Sequence, residues 1–254
     1  MKRVLEQFSL KGKKALIVCP ENPFGQEIAL GLADAGAEIW LAGNVEACAN
    51  LPVAGRFAYD HGSAEAAVQL EKQVRDWLGV VDIVIENGLY TPAAGWTQSY
   101  ETIYEQLKKT HLGMMLTVQC LGHLLKEQGH GSVLLVSDYG ALVGYDPENY
   151  QNSPERKMMD FSYLKGFIVG GAVNYVRQAS NYLAENGCRC NALAFSPLEG
   201  SCPDGFAQAF IRHSQIKRLL TPADVAAAAV FLASDASSFI TGVTLPVDGG
   251  YTAK

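Results

Sequence analysis

Short apolar runs alternate along the chain with longer amphipathic segments, and this alternation limits the folds that the chain can adopt. Residues 14–19 (KALIVC) and 132–137 (SVLLVS) are largely apolar on both faces of a strand, whereas 24–36 and 161–185 read as helices. Strands that are apolar on both faces must be covered on both sides, and parallel strands need crossover helices. The pattern predicts one α/β domain over residues 1–254, a doubly wound parallel sheet with helices on both faces.

The boundaries of the elements follow from apolar spacing and from capping residues. Thr221, Pro222 and Asp224 fit the N-cap, the first and the third position of a helix, and Ser63 fits the N-cap of another. The predicted strands are 14–19, 38–42, 56–59, 81–86, 132–137, 188–195 and 242–247, and the predicted helices are 24–36, 63–78, 99–109, 111–128, 161–185 and one from 221.

Charge and composition restrict the partners and the compartment. A net charge of −6 argues against nucleic acid and anionic membranes as main partners, since both require clustered basic residues. The apolar run 15–19 is too short for a signal sequence, and no uncharged apolar run reaches the ~18 residues of a membrane span. The six cysteines lie mostly in apolar segments. We therefore expect reduced core thiols, a cytoplasmic location and no metal site, because the lone pair Cys188 and Cys190 is weak evidence for a metal.

The candidate catalytic chemistry lies between Ser137 and Lys165. Ser137 ends an apolar strand, and residues 160–165 (DFSYLK) place an aromatic residue and a lysine four positions apart. Four positions on a helix is one face, which is the arrangement that a tyrosine acid/base needs. The aromatic residue is Phe161, however, which has no proton to transfer.

Residues 221–251 (TPADVAAAAVFLASDASSFITGVTLPVDGGY) resemble the last helix, last strand and oligomer-forming tail of the short-chain dehydrogenase/reductase family. The chain is similar to that family over essentially its whole length. The resemblance implies a Rossmann-like sheet, an NAD(P) cofactor, and a catalytic set of asparagine, serine, tyrosine and lysine.

The cofactor positions that the resemblance implies are altered at the phosphate loop. The family places T-G-x-x-x-G-x-G between the first strand and helix, so that backbone N–H groups meet the pyrophosphate. Here residues 18–25 read VCPENPFG and keep only Gly25 of the glycines. Pro20 and Pro23 each remove an N–H donor, and Glu21 adds a carboxylate near the phosphates. A tight structural turn is the alternative role for this loop.

The adenosine-side positions are altered as well. Residues 42–44 (AGN) hold neither the acid that selects NAD nor the base that selects NADP. Asp60 matches the family's adenine-side aspartate, with helix capping as the alternative. The family's N-N-A-G appears as residues 86–89 (ENGL), which keeps Asn87 and places Glu86 near the ribose. Gly25, Asp60 and Asn87 are the candidate cofactor residues, and we expect no bound cofactor, or NAD(P) if any.

The catalytic positions give Ser137 and Lys165 as remnants of the family's set. Counting forward from Ser137 puts Phe161 at the tyrosine and Lys165 at the lysine, and His111 stands at the asparagine. The alternative for His111 is a core or surface histidine that takes no part in catalysis.

A second count, back from Asn191, disagrees by one helical turn. It puts Lys165 at the tyrosine and Val169 at the lysine, so neither count finds a tyrosine. A shifted tyrosine in the loop 138–160 remains open as a rescue; the candidates are Tyr139, Tyr145 and Tyr150, while Tyr163 should face away from the position of Phe161.

The segments that build oligomers in the family are retained, in helices 104–128 and 161–185 and in residues 221–251. The resemblance also implies a precedent, since two-component members of the family, such as the benzylsuccinate-pathway alcohol dehydrogenase of anaerobic aromatic degraders, pair an active subunit with an inactive one. We expect a pseudoenzyme subunit in a heterotetramer with an active homologue, or in a homo-oligomer. Two alternatives stay open: a divergent NAD(P)-dependent oxidoreductase that uses a shifted tyrosine or His111, and a small-molecule binding module using Ser137, Lys165 and Glu86.

Overall fold

Seven parallel strands form one sheet in the computed structural model, which describes residues 3–44, 46, 48–90, 98–150 and 162–253. The strands are β1 Lys14–Val18, β2 Glu38–Gly43, β3 Gly55–Ala58, β4 Ile83–Glu86, β5 Gly131–Asp138, β6 Cys188–Phe195 and β7 Thr244–Val247. Their order is β3-β2-β1-β4-β5-β6-β7, with every pair parallel. The predicted doubly wound sheet is confirmed. The strand order reverses between β1 and β4, and ligands of such sheets bind at the carboxyl ends of the strands beside this point.

Helices cover both faces of the sheet. They are α1 Gly25–Asp34, α2 Ala64–Trp77, α3 Tyr100–Leu107, α4 Gly113–Gln128, α5 Ser162–Ala184, α6 Asp204–His213 and α7 Pro222–Ala233. The predicted helices are present with ends shifted by a few residues, and α6 is an addition to the prediction. A π-helical turn, Lys108–Leu112, joins α3 to α4 where two separate helices were predicted. Within the described residues no helix is both long and apolar enough to cross a bilayer.

Two apolar cores lie on opposite faces of the sheet. One packs α1 and α7 against the strands, with Ile28, Leu32 and Val225 fully buried. A Cβ on Gly31 would lie 2.5 Å from the Cβ of Ala226, so these two helices approach closely because residue 31 is glycine. The other core packs α2, α4 and α5 against the opposite face. Full burial of each such aliphatic side chain contributes about 1.5–3 kcal/mol.

The predicted helix caps are present. The hydroxyl of Thr221 accepts from the backbone N–H of Asp224, whose carboxylate accepts from the N–H of Thr221 at 2.9 Å. Ser63 accepts from the N–H of Ala66 and caps α2. Each cap satisfies N–H groups that a helix start leaves without partners, which stabilises the helix by about 1 kcal/mol.

An aromatic cluster lies at the carboxyl edge of the sheet, under α6. The rings of Phe210 and Tyr251 stack at 4.2 Å, and Tyr139 meets both of them edge-on at 5.1 and 5.2 Å. Phe206 belongs to the same cluster. The cluster fixes α6 and the C-terminal segment beside the end of β5, where the sequence places its candidate catalytic residues.

Candidate functional site

The loop between β1 and α1 is bonded across the crevice at the point where the strand order reverses. The side chain of Asn22 donates to the backbone O of Asn87 at 2.8 Å. The side chain of Asn87 donates in return to the backbone oxygens of Cys19 and Asn22, at 3.1 and 3.3 Å. Asn87, a candidate cofactor residue, is buried and serves as a brace between the ends of β1 and β4. These polar groups therefore have partners within the protein.

The backbone of this loop follows a path that normally requires glycine. Cys19 and Phe24 have φ values of +52° and +73°, and they are the non-glycine residues with positive φ among those described. This conformation costs an ordinary residue about 1–2 kcal/mol. Gly25 begins α1, and its N–H donates to the backbone O of Asn22 at 3.1 Å. A Cβ on Gly25 would lie 2.3 Å from the backbone O of Pro20, so the fold of the loop itself requires this glycine.

Carboxylates line the cavity on the adenosine side of the loop. A Cβ on Gly43 would lie 2.6 Å from Oε2 of Glu21, so the Glu21 carboxylate lies against the end of β2. Glu21, Glu46 and Asp60 all line a cavity of about 770 Å³, together with Lys109. Asp60 is exposed there, and the cap of α2 is Ser63 instead. A phosphate held ~5 Å from one of these carboxylates would lose about 1–3 kcal/mol, depending on solvent screening.

Glu86 and His61 form a buried pair behind this cavity. Glu86 is fully buried, and its Oε1 accepts from the N–H of Gly88 at 2.8 Å and lies 2.9 Å from Nε2 of His61. In the described part of the chain its other oxygen, Oε2, has no hydrogen-bond partner. The imidazole fits between Gly88 and Gly113, where any Cβ would lie within 2.3 Å of the ring. Burial alone lowers the pKa of His61, but the charge of Glu86 and the contacts of the ring with Glu86 and with the backbone of Lys109 together outweigh burial, so the pKa of His61 is raised.

Ser137 and His111 both bond to backbone oxygens of α5. The hydroxyl of Ser137 is buried and donates to the O of Val169 at 3.2 Å. Nε2 of His111 lies 2.9 Å from the O of Ile168, and a carbonyl oxygen only accepts, so this nitrogen carries a proton. Burial lowers the pKa of His111, which favours the neutral ring. Both side chains thus hold α5 against its neighbours.

Asp138 is a candidate site residue that the sequence interpretation missed. Its Oδ2 lies 2.7 Å from Nζ of Lys165, and Tyr145 donates to both carboxylate oxygens at 2.8 and 3.0 Å. The N–H of Gly140 donates to Oδ1 at 2.8 Å. Lys165 therefore faces the end of β5. The count from Asn191 assigns Lys165 to the position of the family's tyrosine. Phe161 lies outside the described residues, as does the side chain of Tyr163.

Burial raises the pKa of two of the loop tyrosines, Tyr139 and Tyr145, which opposes proton transfer by their hydroxyls. Burial, followed by the charge of Asp138, raises the pKa of Tyr145 well above its usual value. Burial also raises the pKa of Tyr139. In the implied catalytic set lysine lowers the pKa of tyrosine, whereas here the charge of Lys165 is balanced by Asp138. Tyr150 packs against Phe206 with ring centroids 5.0 Å apart.

A second cavity of about 380 Å³ lies at the carboxyl ends of β5 and β6. Rings of Phe24, Phe195 and Phe206 contribute to its wall, and Lys165 is its basic group. Of the residues that line the two cavities, Tyr90 is the one they share. The β1–α1 loop thus separates an acidic cavity from an aromatic one.

One further group of side chains has ligand chemistry. Asp146, Glu148 and His213 could each offer one atom to a metal ion, all within 4.8 Å of one another. Nδ1 of His213 lies 3.0 Å from Oδ1 of Asn149 and 3.7 Å from the Asp146 carboxylate, and Nε2 lies 3.5 Å from the Glu148 carboxylate. This geometry matches an imidazole between two acids, and nothing else at the group points to a metal.

Comparison with known proteins identifies the family. The model of the enoyl-(acyl carrier protein) reductase family matches residues 19–252. An uncharacterised oxidoreductase of Mycobacterium tuberculosis is 30% identical over 98% of this chain and 95% of its own length. L-rhamnose 1-dehydrogenase (NAD(P)(+)) of a Sphingomonas species is 26% identical over 95% and 96%. The structure of a gluconate 5-dehydrogenase from Burkholderia cenocepacia, in complex with NADP and tartrate, superposes with a TM-score of 0.86 at 22% identity, covering 99% of this chain and all (100%) of that one. The chain belongs to the short-chain dehydrogenase/reductase family.

Proposed function

We propose that this chain is a non-catalytic subunit that assembles with an active homologue of the same family and stabilises or regulates it. The observation that carries the proposal is the set of contacts made by the β1–α1 loop, whose side chains lie in the crevice where a dinucleotide would bind. Asn22 and Asn87 bridge it, and the Glu21 carboxylate lies against Gly43. Nucleotide binding at this loop would require the bridge to break and a carboxylate to move.

The state of the acid/base groups supports the same proposal. Lys165 is paired with Asp138, and the hydroxyl of Tyr145 donates a hydrogen bond to that carboxylate. A general acid/base must exchange its proton near neutral pH, and burial followed by the charge of Asp138 raises the pKa of Tyr145, which opposes this exchange. Ser137, whose family counterpart orients the substrate, donates to a helix backbone instead.

The outer face of α4 and α5 supports assembly. Leu112, one residue before α4, Met115 of α4 and Phe167 of α5 are 44, 49 and 63% exposed. A Cβ on Gly170 of α5 would have no atom within 4 Å. Burying such side chains against a partner is favourable by about 25 cal/mol per Å² of apolar surface. The family resemblance implies that this helix pair forms the dimer interface.

Calorimetric titration of the purified chain with NAD+, NADH, NADP+ and NADPH tests the loss of the cofactor site. We expect no binding tighter than a Kd of about 1 mM, equivalent to about −4 kcal/mol. The gluconate 5-dehydrogenase of Burkholderia cenocepacia is the positive control. A micromolar Kd for any of the four nucleotides would refute the proposal that the chain is a non-catalytic subunit.

Co-purification from the native host tests the partner. We expect a tagged chain to retain a second short-chain dehydrogenase with an intact tyrosine and glycine loop. Phe167→Glu should release that partner, whereas Leu30→Glu, which changes a similarly exposed residue on α1, should retain it. Recovery of the chain only as a homo-oligomer would contradict the hetero-assembly.

A divergent NAD(P)-dependent oxidoreductase is the second candidate. It is favoured by the dehydrogenases among the relatives and by the presence of Tyr145 and Lys165 in one cavity. If the pure chain oxidises an alcohol with NAD(P)+, the activity should disappear in Tyr145→Phe. Activity that survives this substitution would remove Tyr145 from the mechanism.

A further inference from the structure

We propose that the 380 Å³ cavity at the ends of β5 and β6 binds a flat, uncharged aromatic ligand whose carbonyl oxygen accepts a hydrogen bond from Lys165. The ligand is held without being transformed. This goes beyond assembly with a partner, because it assigns the cavity a ligand of its own.

The wall of the cavity selects a flat aromatic body. Phe24 and Phe195 pack with ring centroids 4.7 Å apart, and Tyr150 and Phe206 with centroids 5.0 Å apart. All four residues line the cavity. A ligand ring meeting such faces and edges gains about 0.5–1.5 kcal/mol per pair beyond the burial of its area. A saturated ring of the same size gains the burial alone.

The size of the cavity fits a small molecule. Sites for such ligands have volumes of about 300–1,000 Å³, and this cavity lies at the lower end of that range. A ligand of two fused rings with one substituent is therefore the expected size.

Lys165 supplies the polar contact. An ammonium has three N–H donors, and the ion pair with Asp138 at 2.7 Å uses one of them. Asp138 itself accepts from Tyr145 and from the N–H of Gly140, so its oxygens are used within the protein. The Lys165 side chain is 29% exposed, which leaves its other hydrogens able to reach a ligand.

The charge balance selects an uncharged acceptor. A carboxylate on the ligand would approach Asp138, which lies 2.7 Å from the same ammonium, and would be repelled by it. A cationic ligand would be repelled by Lys165. A carbonyl oxygen accepts the hydrogen bond and meets neither penalty.

Calorimetric titration with 2-acetylnaphthalene tests the proposal on the isolated chain, with no nucleotide or partner present. We expect a Kd of about 10–100 μM, equivalent to about −5 to −7 kcal/mol. 2-Ethylnaphthalene, which lacks the carbonyl, the saturated analogue 2-acetyldecahydronaphthalene and the anion 2-naphthoate should each bind at least tenfold more weakly. Absence of 2-acetylnaphthalene binding, or equal binding of the four probes, would overturn the proposal.

Two variants distinguish binding through the named contacts from nonspecific hydrophobic binding. Lys165→Met should weaken 2-acetylnaphthalene at least tenfold, to the level of 2-ethylnaphthalene, while Lys72→Met on the exposed surface of α2 should bind as the wild type does. Ser201→Trp adds a ring at an exposed position of the cavity wall and should abolish binding with the fold intact by circular dichroism. Binding that survives both Lys165→Met and Ser201→Trp places the ligand elsewhere and refutes the site. The outcome is independent of assembly, since loss of the partner leaves this cavity in place.

Discussion

Asp138→Asn should destabilise the chain by about 2–3 kcal/mol, since it removes one charge from the centre of a hydrogen-bonded group. The carboxylate accepts from Gly140, Tyr145 and Lys165 at distances of 2.7 to 3.0 Å. Hydrogen bonds to a charged group contribute about 1.5–3 kcal/mol each, and the part-exposed lysine is screened towards the lower value. Asparagine keeps one oxygen for Gly140 and Tyr145, but the amide group in place of Oδ2 only donates and therefore opposes the ammonium of Lys165.

A double-mutant cycle with Lys165→Met isolates the ion pair. We expect a coupling energy of about 1–2 kcal/mol, because Asp138 is largely buried. The matched control is the pair Arg75 and Glu127, which has the same 2.7 Å separation but side chains 39 and 49% exposed. Its coupling should be about 0.5 kcal/mol or less.

Urea unfolding followed by circular dichroism measures both cycles, with variants compared at equal m values. A coupling energy for Asp138 and Lys165 no larger than that of the surface control would refute the reasoning. It would mean that this contact does not hold α5 to the end of β5.

Three further predictions concern the contacts around this cleft. A neighbouring carboxylate raises the pKa of His61, so protonated His61 stabilises the fold fully below the unfolded pKa of about 6.5, and this contribution is lost as the pH rises through the folded pKa. The melting temperature should therefore fall from pH 6.5 to 8.5, and it should fall less in His61→Gln. Gly171→Ala should lower the free energy of unfolding by about 1–3 kcal/mol, because its Cβ would lie 2.5 Å from an imidazole, while Gly170→Ala, which meets nothing within 4 Å, should raise it by about 0.5–1 kcal/mol. Ser137→Ala should lower it by about 1 kcal/mol in urea unfolding, and an unchanged value would show that the hydroxyl bond to α5 is not formed in solution.

The sheet and most helices could be predicted because their signal is local and periodic. Runs such as 14–19 and 188–195 are apolar on both faces, and this pattern lies within the strand segment and does not depend on the loops. α6 was missed because Pro203 precedes it and Gly205 lies in its first turn, and both residue types are typical of loops. Its apolar face packs on residues far away in sequence, and a single sequence does not reveal that contact.

The orientation of neighbouring side chains at the site could not be predicted. Ser137 and Asp138 follow each other at the end of β5, where successive side chains point to opposite faces. Both side chains nevertheless contact α5 in the structure: Ser137 donates to the O of Val169, and Asp138 pairs with Lys165. The contact between Glu86 and His61 could not be predicted either, because the imidazole lies in a space that the missing side chains of Gly88 and Gly113 leave free.

Side chains at the positions of the family's cofactor loop and acid/base pair contact one another, although Oε2 of Glu86 has no hydrogen-bond partner in the described part of the chain. Asn22 bonds with Asn87, Glu86 pairs with His61, and Asp138 takes up Lys165. A nucleotide at a hundred times its Kd stabilises a folded protein by about 2.7 kcal/mol, and a buried polar group without a partner costs about 1–3 kcal/mol. A chain that loses its cofactor therefore loses stability twice, once from the missing ligand and once from the exposed binding groups. Internal pairs of this kind would restore part of that stability, which the proposed non-catalytic subunit needs in order to stay folded without nucleotide.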